Sequence, residues 1–145
     1  MSSADGVGAD RGDAANVVGR AIVAGHGDFA LGVVSAVAQI TGRGEVFIPV
    51  SNRGLGADDI ERMLREQIAA SGARVIFTDL PAGSCTIAAR RVQRDRPEVV
   101  VVTGANLATL LDFVFHAEQP AGEAATHAAD KGRAALTVLG APGAR

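Results

Sequence analysis

Apolar positions gather in four short, β-branched runs, residues 21–24, 46–50, 74–78 and 99–103, and a stretch of longer period follows each. Continuous rather than alternating apolar runs mark strands buried on both faces, as a parallel sheet between two helix layers requires. The intervening stretches read as helices. Residues 29–41 carry no charge; residues 58–71 open on Asp58 and Asp59, repeat Ile60, Leu64 and Ile68 every four positions, and close at Ser71-Gly72. In that second helix Glu61 and Arg65 are spaced to pair at i,i+4. A third helix is expected over 84–94, broken by Asp95-Arg96-Pro97, and a fourth over 106–116 with Leu107, Leu110, Leu111 and Val114 on one face. After Gln119-Pro120 an Ala-rich stretch predicts one more helix to about residue 136, and residues 137–139 read as a short extra edge strand. Strands alternating with helices predict an α/β fold, a doubly wound, mostly parallel four-stranded sheet with helices on both faces. With short right-handed crossovers the strand order is 2-1-3-4.

Composition narrows the setting. The 145 residues suit one domain, residues 20–145, preceded by a leader over 1–19 whose Gly, Ala, Ser and Asp lack any apolar period and read as disordered. The net charge is -2, with 14 basic against 16 acidic residues, and much of the excess sits in the leader, where Asp5, Asp10 and Asp13 face only Arg11. A near-neutral body with no Trp, no Tyr and five Phe argues against nucleic-acid binding by phosphate neutralisation or base stacking. The single cysteine, Cys85, excludes an internal disulfide and leaves no cysteine cluster for structural zinc, so a reducing compartment, the cytoplasm, is expected. No apolar run approaches the ~20 residues that span a bilayer, and the first residues lack a basic start and an apolar segment.

Three polar groups fall at equivalent points of the predicted sheet. His26 follows the first strand in Ala24-Gly25-His26-Gly27-Asp28, Asp79 follows the third, and Asn106 follows the fourth. Strand order 2-1-3-4 sets the first and third strands side by side, so His26 and Asp79 are expected to face each other across the crevice at the strands' carboxyl ends. A carboxylate beside an imidazole accepts its Nδ1 proton, fixes the tautomer and leaves Nε2 as a nucleophile. The loop Asp79-Leu80-Pro81-Ala82-Gly83-Ser84 runs straight into the third helix, whose first amides and the Ser84 hydroxyl suit an anion. Histidine beside an anion cradle suggests phosphoryl transfer.

These residues resemble the mannose-class IIA components of the bacterial phosphoenolpyruvate-dependent sugar phosphotransferase system. Members of that family carry a Gly-x-His-Gly or similar turn after the first strand, Asp-x-x-Gly-Gly-Ser after the third, and Gly-x-Asn-x-Pro-Met-Leu after the fourth. Here those places hold Ala24-Gly25-His26-Gly27, Asp79-Leu80-Pro81-Ala82-Gly83-Ser84 and Gly104-Ala105-Asn106-Leu107-Ala108-Thr109-Leu110. Ala82 replaces the first Gly of Gly-Gly-Ser, Ala108 and Thr109 replace Pro-Met, and Cys85 stands where Pro is frequent.

The resemblance implies a phosphohistidine relay. His26 would accept a phosphoryl group from the histidine phosphocarrier protein and pass it to a IIB component, which serves the membrane sugar permease; a dihydroxyacetone kinase system is an alternative acceptor. Asp79 would orient His26, while Gly27, Gly83 and Ser84 would hold the phosphoryl oxygens, with Asn106 in support. Such a relay calls for neither a cofactor nor a metal. It also implies a homodimer that exchanges a C-terminal strand, for which residues 137–139 are the candidate.

Competing readings stand beside it. Gly25-x-Gly27-x-x-Ala30 fits the dinucleotide fingerprint, with Arg53 in the place that favours NADP, but the second strand ends in Ser51-Asn52-Arg53 without the acid that binds ribose hydroxyls. Cys85 near a helix start with Arg90 downstream is spaced Cys-x4-Arg rather than the Cys-x5-Arg of a phosphate loop. A regulatory IIA-like module that has lost transfer is a further alternative. Ser84 and Asn106 both suit a plain capping role. His116 and His127 show no partner pattern and read as surface residues.

Overall fold

The computed structural model describes residues 17–140. Four parallel strands, β1 (Ala21–Gly25), β2 (Phe47–Ser51), β3 (Val75–Thr78) and β4 (Val100–Val102), form one sheet in the order β2-β1-β3-β4. The helices between and after them are α1 (Phe29–Thr41), α2 (Ala57–Ser71), α3 (Ser84–Asp95), α4 (Leu107–Phe115) and α5 (Ala121–Ala135), and a 3-10 turn, Gly44–Val46, precedes β2. The predicted alternation is therefore present. That turn takes Val46 out of the strand, because its N–H bonds back to the Arg43 carbonyl at 3.3 Å.

Side-chain alternation along each strand divides the interior into two cores. Ala21 and Val23 of β1, with Val75 and Phe77 of β3, face α1, α4 and α5; Ile22, Ala24 and Ile76 face α2 and α3. All five residues of β1 and all four of β3 are buried, as strands covered on both faces require. Phe47, Phe77 and Phe113 lock the first core, with Phe77 and Phe113 edge to face at 5.2 Å between ring centroids. On α2 the predicted Glu61–Arg65 pair forms, at 2.8 Å, and the same guanidinium reaches Asp95 of α3 at 2.8 Å.

Two ends of the chain differ from the sequence expectation. Of the leader over 1–19, residues 1–16 lie outside the described residues; Val17 is buried in the first core and the Gly19 N–H donates to the Glu45 carbonyl at 2.8 Å. Residues 137–139, read as an edge strand, pair with no strand among the described residues, and Leu136, Val138 and Leu139 are 84%, 89% and 89% exposed. A strand needs a neighbour's backbone, and no described segment lies beside residues 137–139 to supply one. No helix among the described residues is long and apolar enough to cross a membrane.

Candidate active site at the carboxyl ends of β1 and β3

Winding reverses between β1 and β3: the chain steps from β1 to β2 on one side and then to β3 on the other. The connections diverge at that point and leave a crevice, and the first residues beyond both strands line it. His26 and Asp79 are those residues. Asp79 Oδ2 accepts two hydrogen bonds from His26, one from its main-chain N–H and one from Nδ1, each at 2.8 Å. A single carboxylate oxygen thus holds both the backbone and the ring of the histidine. With Nδ1 donating to the carboxylate, the neutral imidazole carries its lone pair on Nε2.

Exposure is divided between the two partners. The His26 side chain is 49% exposed, whereas that of Asp79 is 11% exposed. Burial pushes the Asp79 carboxyl up, but the bonds from the His26 backbone and ring, together with the imidazole's charge when protonated, outweigh it and hold the group below its ordinary value of 3.8. The other oxygen, Oδ1, is buried and has no hydrogen-bond partner among the described residues.

The loop from β3 to α3 is fastened from behind. Buried Thr78 and Thr86 share a hydrogen bond of 2.7 Å, and both hydroxyls lie on the Leu80 carbonyl, which fixes the turn between Asp79 and Gly83. Gly83 sits at φ +117°, a conformation only glycine adopts without strain, and directly precedes α3. A Cβ at that position would lie 3.4 Å from His26 Cε1 and 3.9 Å from Nε2, so the lone-pair side of the ring looks onto the start of α3. The first amides of a helix have no intrahelical acceptor and carry the positive end of its dipole. An imidazole nitrogen next to such amides can share an anion with them.

Ser84 and Gly27 come to the same crevice through a residue the sequence reading passed over. Asn52, just past β2, accepts from the Gly27 N–H at 3.3 Å and donates through Nδ2 to Ser84 Oγ at 3.3 Å, while Ser51 Oγ donates to the Gly27 carbonyl at 2.7 Å. Its signal was its position, one residue beyond the carboxyl end of a strand adjacent to β1. Arg53 pairs with Asp28 at 3.0 Å on the exposed rim.

Asn106 does not join them. It caps α4, accepting from the Thr109 N–H at 2.9 Å, and its Nδ2 donates to the Gly132 carbonyl of α5 at 3.0 Å. None of its hydrogen bonds reaches the His26 crevice. Gly132 permits the approach, since a Cβ there would collide with Thr109 Oγ1.

The geometry also weighs on the competing readings. A dinucleotide fingerprint offers open backbone amides to a pyrophosphate, but here the His26 N–H is bound to Asp79 and the Gly27 N–H to Asn52. Cys85 is fully buried; desolvation, then the charge of Asp79, push its thiol up to about 11, against a bond from Ser84 that lowers it. A thiol so placed stays protonated and unreactive. His116 and His127, read as partnerless, meet across α4 and α5 at Asp112, with His127 Nδ1 2.7 Å from Asp112 Oδ2.

Several solved structures share this fold. The EIIA phosphotransferase component of Streptococcus agalactiae superposes with a TM-score of 0.75 at 18% identity, over 82% of this chain and 95% of that one. The mannose/sorbose-specific IIA subunit of Enterococcus faecalis gives 0.73 at 20% identity, over 85% and 96%. The IIA protein associated with the fucose utilization operon of Streptococcus pneumoniae gives 0.65 at 22%, over 81% and 90%. No curated protein sequence matches the chain. Residues 20–130 match the family model described as the PTS system fructose IIA component, a stretch that takes in β1 through most of α5 and every residue of the crevice. The chain belongs to that EIIA-man family, the mannose-class IIA components of the phosphotransferase system.

Proposed function

We propose that this protein is a phosphoryl carrier that takes a phosphoryl group onto His26 Nε2 from a histidine phosphocarrier protein and delivers it to a IIB component for sugar uptake and phosphorylation. Membership of a family of phosphotransferase-system IIA components supports the class of activity. The observation that carries the residue assignment is the double hold of Asp79 Oδ2 on the His26 N–H and Nδ1, at 2.8 Å each. In the forward step the Nε2 lone pair attacks phosphorus, the phosphorus–nitrogen bond of the donor breaks, and the donor leaves as a neutral imidazole. His26 keeps its Nδ1 proton and becomes a phosphorylated imidazolium, whose charge lies against the Asp79 carboxylate. Delivery to the acceptor reverses the same bonds.

In this reading Ser84 Oγ and the amides at Gly83 and Ser84 bind the phosphoryl oxygens, and Gly27 and Asn52 position that cradle. Asn106 is a cap rather than a support for transfer. The half-exposed ring suits a group that must meet two successive protein partners, and the carrier works in the cytoplasm as a homodimer. Incubation with phosphoenolpyruvate and the general phosphotransferase components is expected to give an adduct that is acid-labile and base-stable. It is lost in His26→Ala and retained in Cys85→Ala; an adduct that survives without His26 overturns the assignment.

A further inference from the structure

Of three histidines in the chain, one stands in the crevice just described and the other two converge elsewhere. His116, just past α4, and His127, in the middle of α5, bring their rings to 4.3 Å between centroids. Asp112, one turn before His116, lies between them. Its Oδ2 is 2.7 Å from His127 Nδ1 and 3.5 Å from His116 Nδ1, whose shorter contact, 2.9 Å, is to the Asp112 main-chain oxygen. Asp112 Oδ2 thus lies on His127, while the hydrogen bond of His116 runs to the backbone. Asp112 is also the most buried of the three, at 12% exposure against 26% and 48% for the histidines.

We propose that Asp112, His116 and His127 form a binding site for one borderline divalent cation of the zinc type, at the seam of α4 and α5. Two imidazole nitrogens and one carboxylate oxygen are a donor set for zinc, with a fourth position left to water; hard cations such as magnesium or calcium prefer oxygen alone. One ligating atom from each residue already lies within 4.8 Å of the other two. Ligands held about 2.1 Å from a tetrahedral ion stand roughly 3.4 Å apart, so closure needs a shift of about an ångström. His127 can supply it by rotating, since it is half exposed. A divalent ion would also set two positive charges against the largely buried Asp112 carboxylate and take one lone pair from each ring.

The site is separate from the phosphoryl crevice. α4 leaves the carboxyl edge of the sheet at Asn106, so Asp112 and His116, farther along that helix, lie toward the opposite edge. A bound ion would cross-link α4 to α5, the helix that leads to Leu136 and the apolar residues beyond it.

Untagged, chelator-treated protein titrated with zinc chloride by calorimetry is the test. One ion per chain is expected, with perturbation of the imidazole resonances of His116 and His127 but not those of His26 in the NMR spectrum of the unaltered protein. His127→Gln, at a half-exposed position that should not disturb folding, is expected to weaken binding by about tenfold or more, as is Asp112→Asn, while His26→Ala leaves it unchanged. Absence of binding at millimolar zinc, binding that survives His127→Gln, or binding lost with His26 would each overturn the proposal.

Discussion

At the scale of single residues, the site rests on what one carboxylate does. Because Asp79 is held below its ordinary 3.8 in the folded chain, it contributes stability that is fully present above that value and is lost as pH falls through the lower folded value. Asp79→Asn should therefore flatten the acid limb of a plot of Tm against pH below about 4, and a limb unchanged by the substitution would deny the pairing. The same substitution should slow phosphoryl acceptance by on the order of a hundredfold or more, since an amide no longer compensates the imidazolium. Gly83 tests the other side of the ring. Alanine there would meet φ +117° and press a methyl to 3.4 Å from His26 Cε1, so Gly83→Ala should reduce the initial rate of phosphorylation by on the order of tenfold to a hundredfold while the chain still folds. His26, Asp79 and Ser84 were legible because strand ends are fixed by apolar runs. Asn52 has the same strand-end position, but its role comes from bridging two loops 25 and 32 residues away, which that position alone does not record.

At the scale of elements, the edge strand expected over 137–139 is not formed among the described residues, while the four parallel strands and five helices expected from periodicity are present within a residue or two. The reason is consistency: Ile60, Leu64 and Ile68 of α2, for instance, recur every four positions and are all buried against the sheet. What periodicity could not say was how polar side chains join one element to another. Asn106 follows a strand as His26 and Asp79 do, yet it turns to α5 because Gly132 brings a bare carbonyl within reach. Asn106→Ala removes both the α4 cap and that tie, and a loss of about 1–2 kcal/mol in chemical denaturation is expected. Phosphorylation of His26 should proceed at the unaltered rate; a slowed rate at full folding would return Asn106 to the site. His116 and His127 read as partnerless surface residues for a similar reason, since their meeting depends on α4 and α5 packing antiparallel with Asp112 between them.

At the scale of the whole molecule, strand order follows from handedness and short crossovers, and that order also leaves β4 at an edge of the sheet. An edge strand presents unpaired backbone groups, and natural proteins cover such edges or pair them. Beside β4 runs a groove lined by Val100, Val102, Ala125, Ala129, Gly132 and Leu136, and the chain leaves that groove directly into Thr137, Val138 and Leu139. Apolar residues about 89% exposed at Val138 and Leu139 are hard to explain in a lone chain, whereas two copies that each lay this segment on the other's β4 would bury them and complete the sheet. Light scattering on the protein is expected to give a dimer, and Val138→Asp, which places a charge in the exchanged strand, is expected to give a monomer with an intact far-ultraviolet circular dichroism spectrum. Removal of residues 137–145 should do the same. A monomer before any substitution, or a dimer that tolerates both changes, would show that the β4 edge is covered in some other way.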